Sequence, residues 1–435
     1  MEKRFDTHFY LPEYQTILKK IYNLPHHTTI GSIAHFSKET TDFSEFQNGM
    51  FEYLEISGVE LCGNSYNTTT TEVSQAPSRA KMKTQQGDIA ISTTRPHRGA
   101  IVEIQSDKII ASTGFSIIRN LDESINKKWF LHVLLSRIVL KQMLQRSSGG
   151  NYPAIIEDEI RNICIPLVNS PTQNSMAESI DSALNKRNVY LQSADNKLST
   201  FYNTVASELN ITTQQKNRLC YAVKLKNLDG VIDAKRYASM TANTSEFKIS
   251  DVCDIVDEKV NVSRFDKQII DWIRIDDLPN QPLDIEEVRT QPANEVEGTF
   301  FEVQEGDILV ARLGPTILNQ KIVMVRSVER TTIASAEFLV LRCKEGYNPE
   351  AVMAVLKTAY YRDLMYSHAR GSTPSRYRLN REDMLKLPFS DIREHQDKIA
   401  NDANNVREQV KAMRIQAEQE WQAAKAQFEK ELLGE

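Results

Sequence analysis

Four loops, two in each half of the chain, are rich in basic and polar side chains and contain no acidic residue. They span residues 93–98, 146–152, 312–321 and 368–381. The first loop of each half follows a Gly-Asp-Ile segment, and the second precedes a segment that ends in Leu or Ile followed by Pro. The candidate functional residues of the first half are Thr93, Thr94, Arg95, His97, Arg98, Arg146, Ser148, Gly150, Asn151 and Tyr152; those of the second half are Arg312, Asn319, Gln320, Lys321, Arg370, Ser372, Thr373, Ser375, Arg376, Tyr377 and Arg378.

These residue types suit contact with double-stranded DNA. Arginine can donate two hydrogen bonds to guanine O6 and N7, while asparagine and glutamine can pair in the same way with adenine N6 and N7. Serine, threonine and loop N–H groups suit phosphate oxygens, and glycine lets the backbone approach closely. The alternative is a set of solvated surface loops, which most charged loops are. Because the set occurs at corresponding places in both halves, we favour DNA contact, leaving open which residues contact bases and which contact phosphates.

The sequence offers little for catalysis. Methyl transfer to a base amine would use an Asn/Asp-Pro-Pro-aromatic loop, and the nearest segment, Asn151-Tyr152-Pro153, lacks that pattern. Asp88 and Asp307 are better interpreted as turn residues than as metal-binding acids, because no Glu-x-Lys follows either of them. Glycine-rich phosphate loops are missing from the sequence, and the histidines form no ligand pattern. We therefore expect no catalytic residue, no metal and no cofactor of its own.

Length, charge and composition set further limits. A chain of 435 residues suits two or three domains. The net charge of −5 is unfavourable for a DNA-binding protein, so the positive charge must be local or a partner must supply many phosphate contacts. The N-terminus lacks the apolar stretch of a signal peptide, and no apolar run approaches a membrane span of about 20 residues. Together with five scattered cysteines, these features favour the cytoplasm.

The chain contains an internal repeat. Four sequence blocks recur in the same order, at separations between about 219 and 223 residues, which is hard to obtain by chance. The repeat indicates two similar lobes. The paired blocks are 87–91 with 306–310, 111–119 with 334–342, 53–56 with 272–275, and 163–167 with 385–389.

Each lobe is predicted to be a mixed α+β domain. Short β-branched segments around Tyr53, Ile89, Ile101 and Ile117 are typical of strands. Apolar residues at helical spacing predict one helix over residues 128–146, repeated over 351–366, with His132 as a packed core residue. The order of elements favours a mostly antiparallel fold over alternating βαβ units.

Each lobe is followed by a long helical segment. Apolar residues recur in steps of four and three from Ile180 to Val205, interrupted by Arg187, and again from Ile399 to Leu432. Antiparallel pairing of the two helices would make a rigid spacer between the lobes; the alternative is two helices that each pack on their own lobe. The predicted fold class is therefore two similar mixed α/β domains separated by a pair of long antiparallel coiled-coil helices.

In this order, and twice, these motifs resemble the DNA specificity subunit of type I restriction–modification systems. The resemblance covers nearly the whole chain. It depends on the Gly-Asp-Ile segments, on Ala-Ser-x-x-Phe, on 150–155 leading to 165–167, on 371–376 leading to 387–388, and on Arg4-Phe5-Asp6 and the following residues to Tyr14, with a second copy at 232–237.

The resemblance implies a non-catalytic subunit with target-recognition domains at 1–170 and 229–390 and helical spacers at 171–228 and 391–435. Each recognition domain would read one half of a split, asymmetric DNA site. The spacers would dock DNA methyltransferase subunits, two in number, which bring S-adenosylmethionine and modify adenine; restriction motor subunits can also join. The alternatives are a specificity subunit of a methyltransferase-only or other phage-defence complex, and a coiled-coil scaffold that binds no DNA.

Overall fold

The computed structural model describes residues 7–46, 49–211 and 247–435. The chain divides into two compact units, the first made of Met1–Val189 and Gln416–Glu435 and the second of Tyr190–Ile415. The predicted domain boundaries stay a prediction. The second copy of the N-terminal motif, at 232–237, lies outside the described residues, as do Arg4-Phe5-Asp6 of the first copy and the predicted spacer residues 212–228.

The described residues of the first unit form two four-stranded sheets and a two-stranded one, in the orders β2-β9-β6-β7, β4-β3-β8-β5 and β1-β10. Pairing is antiparallel except between β3 and β8, which run parallel. The predicted strands around Tyr53, Ile89, Ile101 and Ile117 are confirmed. The strands are β1 (His27–Thr29), β2 (Ala34–Ser37), β3 (Met50–Leu54), β4 (Thr69–Glu72), β5 (Ala80–Lys83), β6 (Ile89–Ser92), β7 (Ile101–Glu103), β8 (Ile109–Ser112), β9 (Phe115–Leu121) and β10 (Cys164–Pro166).

The helix predicted over 128–146 is two helices, so that prediction was wrong in its continuity. Ser136 has extended backbone angles, and its side chain accepts a hydrogen bond from the N–H of Val139, which starts a new helix there. His132 is buried, as predicted, and its Nε2 lies 2.8 Å from Asp181 Oδ1. The helices are α1 (Pro12–Tyr22), α2 (Ile30–Ile33), α3 (Lys127–Leu134), α4 (Arg137–Gln145), α5 (Glu157–Arg161) and the long α6 (Ser170–Glu208).

The second unit repeats this architecture, with sheets β11-β19-β16-β17 and β12-β15-β18-β13-β14. Its predicted helix over 351–366 is also two helices, which meet at Thr358. The strands are β11 (Cys253–Ile255), β12 (Lys259–Val260), β13 (Ile269–Ile273), β14 (Arg289–Pro292), β15 (Phe300–Val303), β16 (Ile308–Ala311), β17 (Ile322–Met324), β18 (Thr332–Ser335) and β19 (Phe338–Cys343). The helices are α7 (Ile249–Val252), α8 (Gly314–Leu318), α9 (Pro349–Leu356), α10 (Ala359–His368), α11 (Arg381–Lys386) and α12 (Gln396–Leu432).

The two four-stranded sheets of the first unit recur in the second unit. The order β2-β9-β6-β7 corresponds to β11-β19-β16-β17, and β4-β3-β8-β5 corresponds to β14-β13-β18-β15. The one parallel pairing of the first unit's described strands also recurs, between β13 and β18. The predicted duplication is therefore confirmed at the level of strand order, and the second sheet gains one extra strand, β12.

The Gly-Asp turns before β6 and β16 are built identically. Gly87 and Gly306 both have a φ of +88°, a left-handed conformation that favours glycine. The carboxylate of Asp88 accepts a hydrogen bond from the N–H of Gln85, and that of Asp307 accepts one from Gln304, both at 2.9 Å. The prediction that these aspartates are turn residues is confirmed.

Helices α6 and α12 pair antiparallel within each unit. In the first unit, Ile180 and Leu184 share a buried cluster with Trp421 and Phe428. In the second unit, the later α6 residues Ala194 and Leu198 cluster with the earlier α12 residue Val410. Later residues of α6 thus cluster with earlier residues of α12, which confirms the predicted antiparallel pairing. At about 1.5 Å per residue, α12 is about 55 Å long.

None of the helices in the three described ranges is long and apolar enough to cross a membrane.

Candidate nucleic-acid interface

The two candidate loops of the first unit lie side by side, joined by main-chain hydrogen bonds. The N–H of Ile155 donates to the Thr93 carbonyl at 2.9 Å, and the N–H of Arg95 donates to the Pro153 carbonyl at 2.7 Å. Ser148 and Ala154 exchange reciprocal hydrogen bonds of 2.8 Å, which close the second loop into a hairpin. Because β6 and the hairpin are ordered by these bonds, the loop tips are presented together.

The second unit uses the same hydrogen bonds. Leu379 N–H donates to the Arg312 carbonyl and Gly314 N–H donates to the Tyr377 carbonyl, both at 2.8 Å. Arg370 and Arg378 exchange reciprocal bonds of 3.0 and 2.8 Å. We call the two joined loops of each unit its loop pair: 93–99 with 146–155 in the first unit, and 312–321 with 370–379 in the second. Sequence reasoning found the loops but did not place them together.

A third segment joins each loop pair. In the first unit, Thr93 N–H donates to the Gly114 carbonyl and Thr113 N–H donates to the Arg79 carbonyl, both at 2.8 Å. The corresponding bonds of the second unit, at 3.1 and 3.2 Å, run from Arg312 to Glu337 and from Ala336 to Thr299. Arg79 is exposed and was missed by sequence reasoning. The acid-free segment Pro77-Ser78-Arg79 at a strand start could have indicated it.

Arg95 and Tyr152 meet at the tip of the first loop pair. Arg95 has a left-handed φ of +48°, and its guanidinium carbon lies 4.1 Å from the centre of the Tyr152 ring. Its Nη2 also donates to the Asn151 carbonyl at 3.3 Å. Tyr152 is 70% exposed, an unusual position for a large aromatic ring. The stacked guanidinium is therefore held in place at the surface while the ring stays accessible.

Glycines shape the hairpin turns. Gly149 has a φ of +94°, and neighbouring Gly150 is exposed. A Cβ atom on Gly371 would lie 2.4 Å from the Arg376 carbonyl oxygen, so the turn 371–376 closes too tightly for a side chain. These glycines allow compact loop tips rather than adding contacts of their own.

Exposure separates the candidate residues into three groups. Those that are half-buried are Thr93, Arg95, His97, Arg312, Lys321 and Tyr377, and those that are buried are Arg146 and Gln320. The exposed candidates are Thr94, Arg98, Ser148, Gly150, Asn151, Tyr152, Asn319, Arg370, Ser372, Thr373, Ser375, Arg376 and Arg378.

Three of the less exposed candidates hold the protein itself. Arg146 Nη1 donates to Glu159 at 2.8 Å, and its guanidinium carbon lies 5.5 Å from the Phe9 ring centre. The Gln320 side chain donates to the Lys357 carbonyl at 2.7 Å. Lys321 Nζ donates to the Ile275 carbonyl at 3.0 Å. Their donors point into the protein, so we leave these three out of the proposed DNA-facing surface.

Charge differs between the two loop pairs. In the second, Arg378 forms a bidentate pair with Glu337, with distances of 2.8 and 3.3 Å, and Arg370 lies 3.5 Å from Asp383. Arg376 is exposed at the turn. In the first, burial lowers the pKa of His97, and the positive charges of Arg98 and Arg95 lower it further, which favours the neutral imidazole.

Within the described ranges, no group of three or more His, Cys, Asp or Glu side chains is arranged to hold a metal ion.

Residues 27–194 match the family described as the type I restriction modification DNA specificity domain. A type I restriction modification DNA specificity domain therefore occupies residues 27–194 of this chain. The matched range contains the whole of the first loop pair.

A known relative is similar to part of this chain. A 157-residue stretch is 22% identical to the type I restriction enzyme HindI specificity subunit of Haemophilus influenzae. That stretch is 35% of this chain, and it spans about a third (33%) of the relative's length.

Solved structures are also similar. One is the HsdS subunit from Thermoanaerobacter tengcongensis, with 17% identity, a TM-score of 0.39, and coverage of 95% of this chain and 98% of that one. Another, described as the structural basis of complex assembly and conformational transition of the type I R-M system, has 16% identity, a TM-score of 0.44 and coverage of 93% and 96%.

Proposed function

We propose that the chain reads a bipartite, asymmetric DNA site, with each loop pair contacting one half. The observation that carries this proposal is the shared main-chain arrangement of the loop pairs combined with their different side chains. The first loop pair presents Arg95, Asn151 and Tyr152. The second loop pair presents Ser372, Arg376 and Arg378. Two loop pairs that share a backbone arrangement but carry different side chains suit two half-sites of different sequence.

The net charge of −5 fits this assignment if phosphate contacts are shared with a partner. Much of the affinity of protein for DNA comes from phosphate neutralisation by Lys and Arg. The exposed arginines Arg79, Arg98 and Arg376 supply positive charge locally, while Arg370 and Arg378 are partly offset by acidic neighbours. Binding by the chain alone should therefore be weaker than binding by its complex.

The remaining roles follow from the family resemblance. We propose that α6 and α12 dock DNA methyltransferase subunits, two in number, and that restriction motor subunits can join. S-adenosylmethionine would be bound by the methyltransferase, which modifies adenine; the chain itself would carry no catalytic residue, cofactor or metal and would act in the cytoplasm. The family and the HindI relative support this assembly.

The proposal is tested by mapping methylated adenines in cells that carry this chain and its methyltransferase. The expected result is one split motif, two short defined blocks around a fixed unspecified gap, which disappears when the chain is deleted. A methylation pattern that is unchanged by the deletion would overturn the proposal. A scaffold that binds no DNA is distinguished by titrating the purified complex onto duplex DNA, since specific complexes lose affinity steeply with salt.

A further inference from the structure

Arg187 is a charged residue in the apolar seam of α6. The preceding seam residue Leu184 is buried, and the side chain of Arg187 is only 16% exposed. A guanidinium at such a position loses hydration, and this cost must be offset by partners. Two carboxylates provide them: Nη1 of Arg187 donates to Glu60 at 3.2 Å, and Nε lies 3.5 Å from Glu418 of α12.

Glu60 lies in a tight loop that closes around its own carboxylate. Its Oε2 accepts a hydrogen bond from the Ser65 hydroxyl at 2.6 Å, and its N–H donates to the Ser65 carbonyl at 2.9 Å. A Cβ on Gly63 would lie 2.1 Å from the Glu60 carboxylate carbon. Cys62 and Asn64 have left-handed φ values of +57° and +53°. The loop is thus a compact, ordered unit rather than a loose connection.

The loop that contains Glu60, residues 59–66, also contacts the end of the 93–99 loop, which we call the reading loop. Cys62 N–H donates to the Gly99 carbonyl at 3.0 Å, and its thiol lies 3.7 Å from the Arg98 carbonyl. Gly99 has a φ of +73°, and a Cβ there would lie 2.4 Å from the Cys62 sulfur. The 59–66 loop therefore sets where the chain leaves the segment that contains Arg95 and Arg98.

A chain of contacts consequently runs from the helix seam to the reading loop: Arg187 to Glu60, Cys62 and then Gly99. We infer that Arg187 is a positioning residue that holds the first loop pair in its DNA-reading conformation. The inference rests on the proposed function, because it concerns how one half-site is read. It also accounts for the presence of a charged residue in the seam, which the pairing of two helices would not require.

The test uses the full chain with its methyltransferase to enrich duplexes from a random pool, followed by sequencing. In Arg187→Leu the seam becomes apolar, so the helix pair keeps or gains stability. The 93–99 loop loses the support that it receives through Glu60. If the fraction of molecules whose loop is in the DNA-binding conformation falls to about a tenth, the apparent affinity for DNA falls about tenfold. We expect base preferences to weaken at the first half-site and to stay unchanged at the second, with an unchanged or higher melting temperature.

Two further variants separate positioning from general folding. Glu60→Gln, which leaves the helices intact, should relax the same half-site, and Arg187→Lys should restore most of its selectivity. The matched control is Lys186→Gln, which removes the 2.6 Å contact to Glu420 between the same helices without touching the 59–66 loop; it should leave both half-sites unchanged.

The outcomes distinguish the inference from the proposed function. Equal weakening at both half-sites, or preferences in Arg187→Leu and Glu60→Gln identical to those of the wild-type chain, would overturn the positioning role while leaving DNA reading intact. If the wild-type complex enriches no sequence at all, the proposed function fails and the inference fails with it.

Discussion

The Arg95 guanidinium lies over the Tyr152 ring at 4.1 Å, and so the two loops of the first loop pair meet through side chains as well as main chain. A guanidinium fixed in this way loses little freedom when it pairs with guanine. Arg95→Lys removes the planar fork and most of the stacking. We expect binding at the first half-site to weaken by about 1–3 kcal/mol, measured by competition between duplexes that differ in that half alone.

Tyr152 variants test the stacking by itself. Tyr152→Phe keeps the ring and should change affinity little, whereas Tyr152→Ala should weaken binding by about 0.5–1 kcal/mol, the range of an exposed cation–π contact. Arg137→Ala is the control, since this exposed arginine of α4 contacts Glu429 and lies outside the loop pair. If Arg137→Ala weakened binding as much as Tyr152→Ala, the stacking of Arg95 on Tyr152 would have no specific role.

Arg376 is the corresponding test in the second unit. It is exposed at the turn whose closure requires Gly371. Arg376→Ala should relax or abolish reading of the second half-site and leave the preference at the first intact. Mapping methylated sites in cells that carry the variant would reveal this as extra sites degenerate in one block. Degeneracy in both blocks, or in neither, would contradict the assignment.

The sequence predicted the repeat, the strands and the Gly-Asp turns because each depends on local residue patterns. It did not predict which arginines face solvent. Arg146 and Arg95 both lie in loops without acidic residues. Arg146 is nevertheless buried against Glu159, a partner that the composition of its loop does not reveal. In the same way, Arg378 lies in an acid-free loop yet pairs with Glu337 on a neighbouring segment. Acid-free composition therefore does not establish an acid-free surface.

Helix continuity was a second limit. The apolar spacing that predicted one helix over 128–146 continues through Ser136, where the backbone turns extended. Both short helices keep their apolar residues against the same core, so periodicity is preserved across the break. A serine can stand inside a helix or cap one, and the choice is made by tertiary packing.

The buried carboxylate of Asp307 should be important for stability. It is fully buried, accepts two hydrogen bonds of 2.8 Å from Arg342, and also accepts the N–H of Gln304. Asp307→Asn keeps the shape but removes the charge that pairs with Arg342. Because Arg342 is partly exposed, we expect a loss of roughly 2–4 kcal/mol in the free energy of unfolding. Urea denaturation would measure it.

The control for Asp307 is an exposed pair in the same unit. Glu302 contacts Arg264, and both side chains are nearly half exposed. Glu302→Gln should cost less than about 1 kcal/mol, as exposed ion pairs do. If Asp307→Asn costs no more than Glu302→Gln, the carboxylate is a turn residue and its pairing with Arg342 adds nothing measurable.

Lys357 gives the second unit a specific dependence on pH. Its side chain is buried, and Nζ donates to the Pro282 carbonyl at 2.5 Å. Burial is the largest cause that lowers its pKa, to about 7. An unfolded lysine has a pKa of about 10.4, so between pH 7 and 10 the unfolded state binds more protons than the folded one. The contribution of Lys357 to the free energy of unfolding therefore rises with pH across that window, by on the order of 3 kcal/mol.

The measurement is the difference in unfolding free energy between the wild-type chain and Lys357→Met at several pH values. Other titrating groups cancel in that difference, which should grow in favour of the wild-type chain from pH 7 to pH 10. The control is Lys386→Met in α11, which removes an exposed lysine instead of a buried one and should not reproduce this change. A flat difference for Lys357→Met as well would mean that the buried ammonium keeps its proton, held by Pro282 and the nearby carboxylate of Glu350.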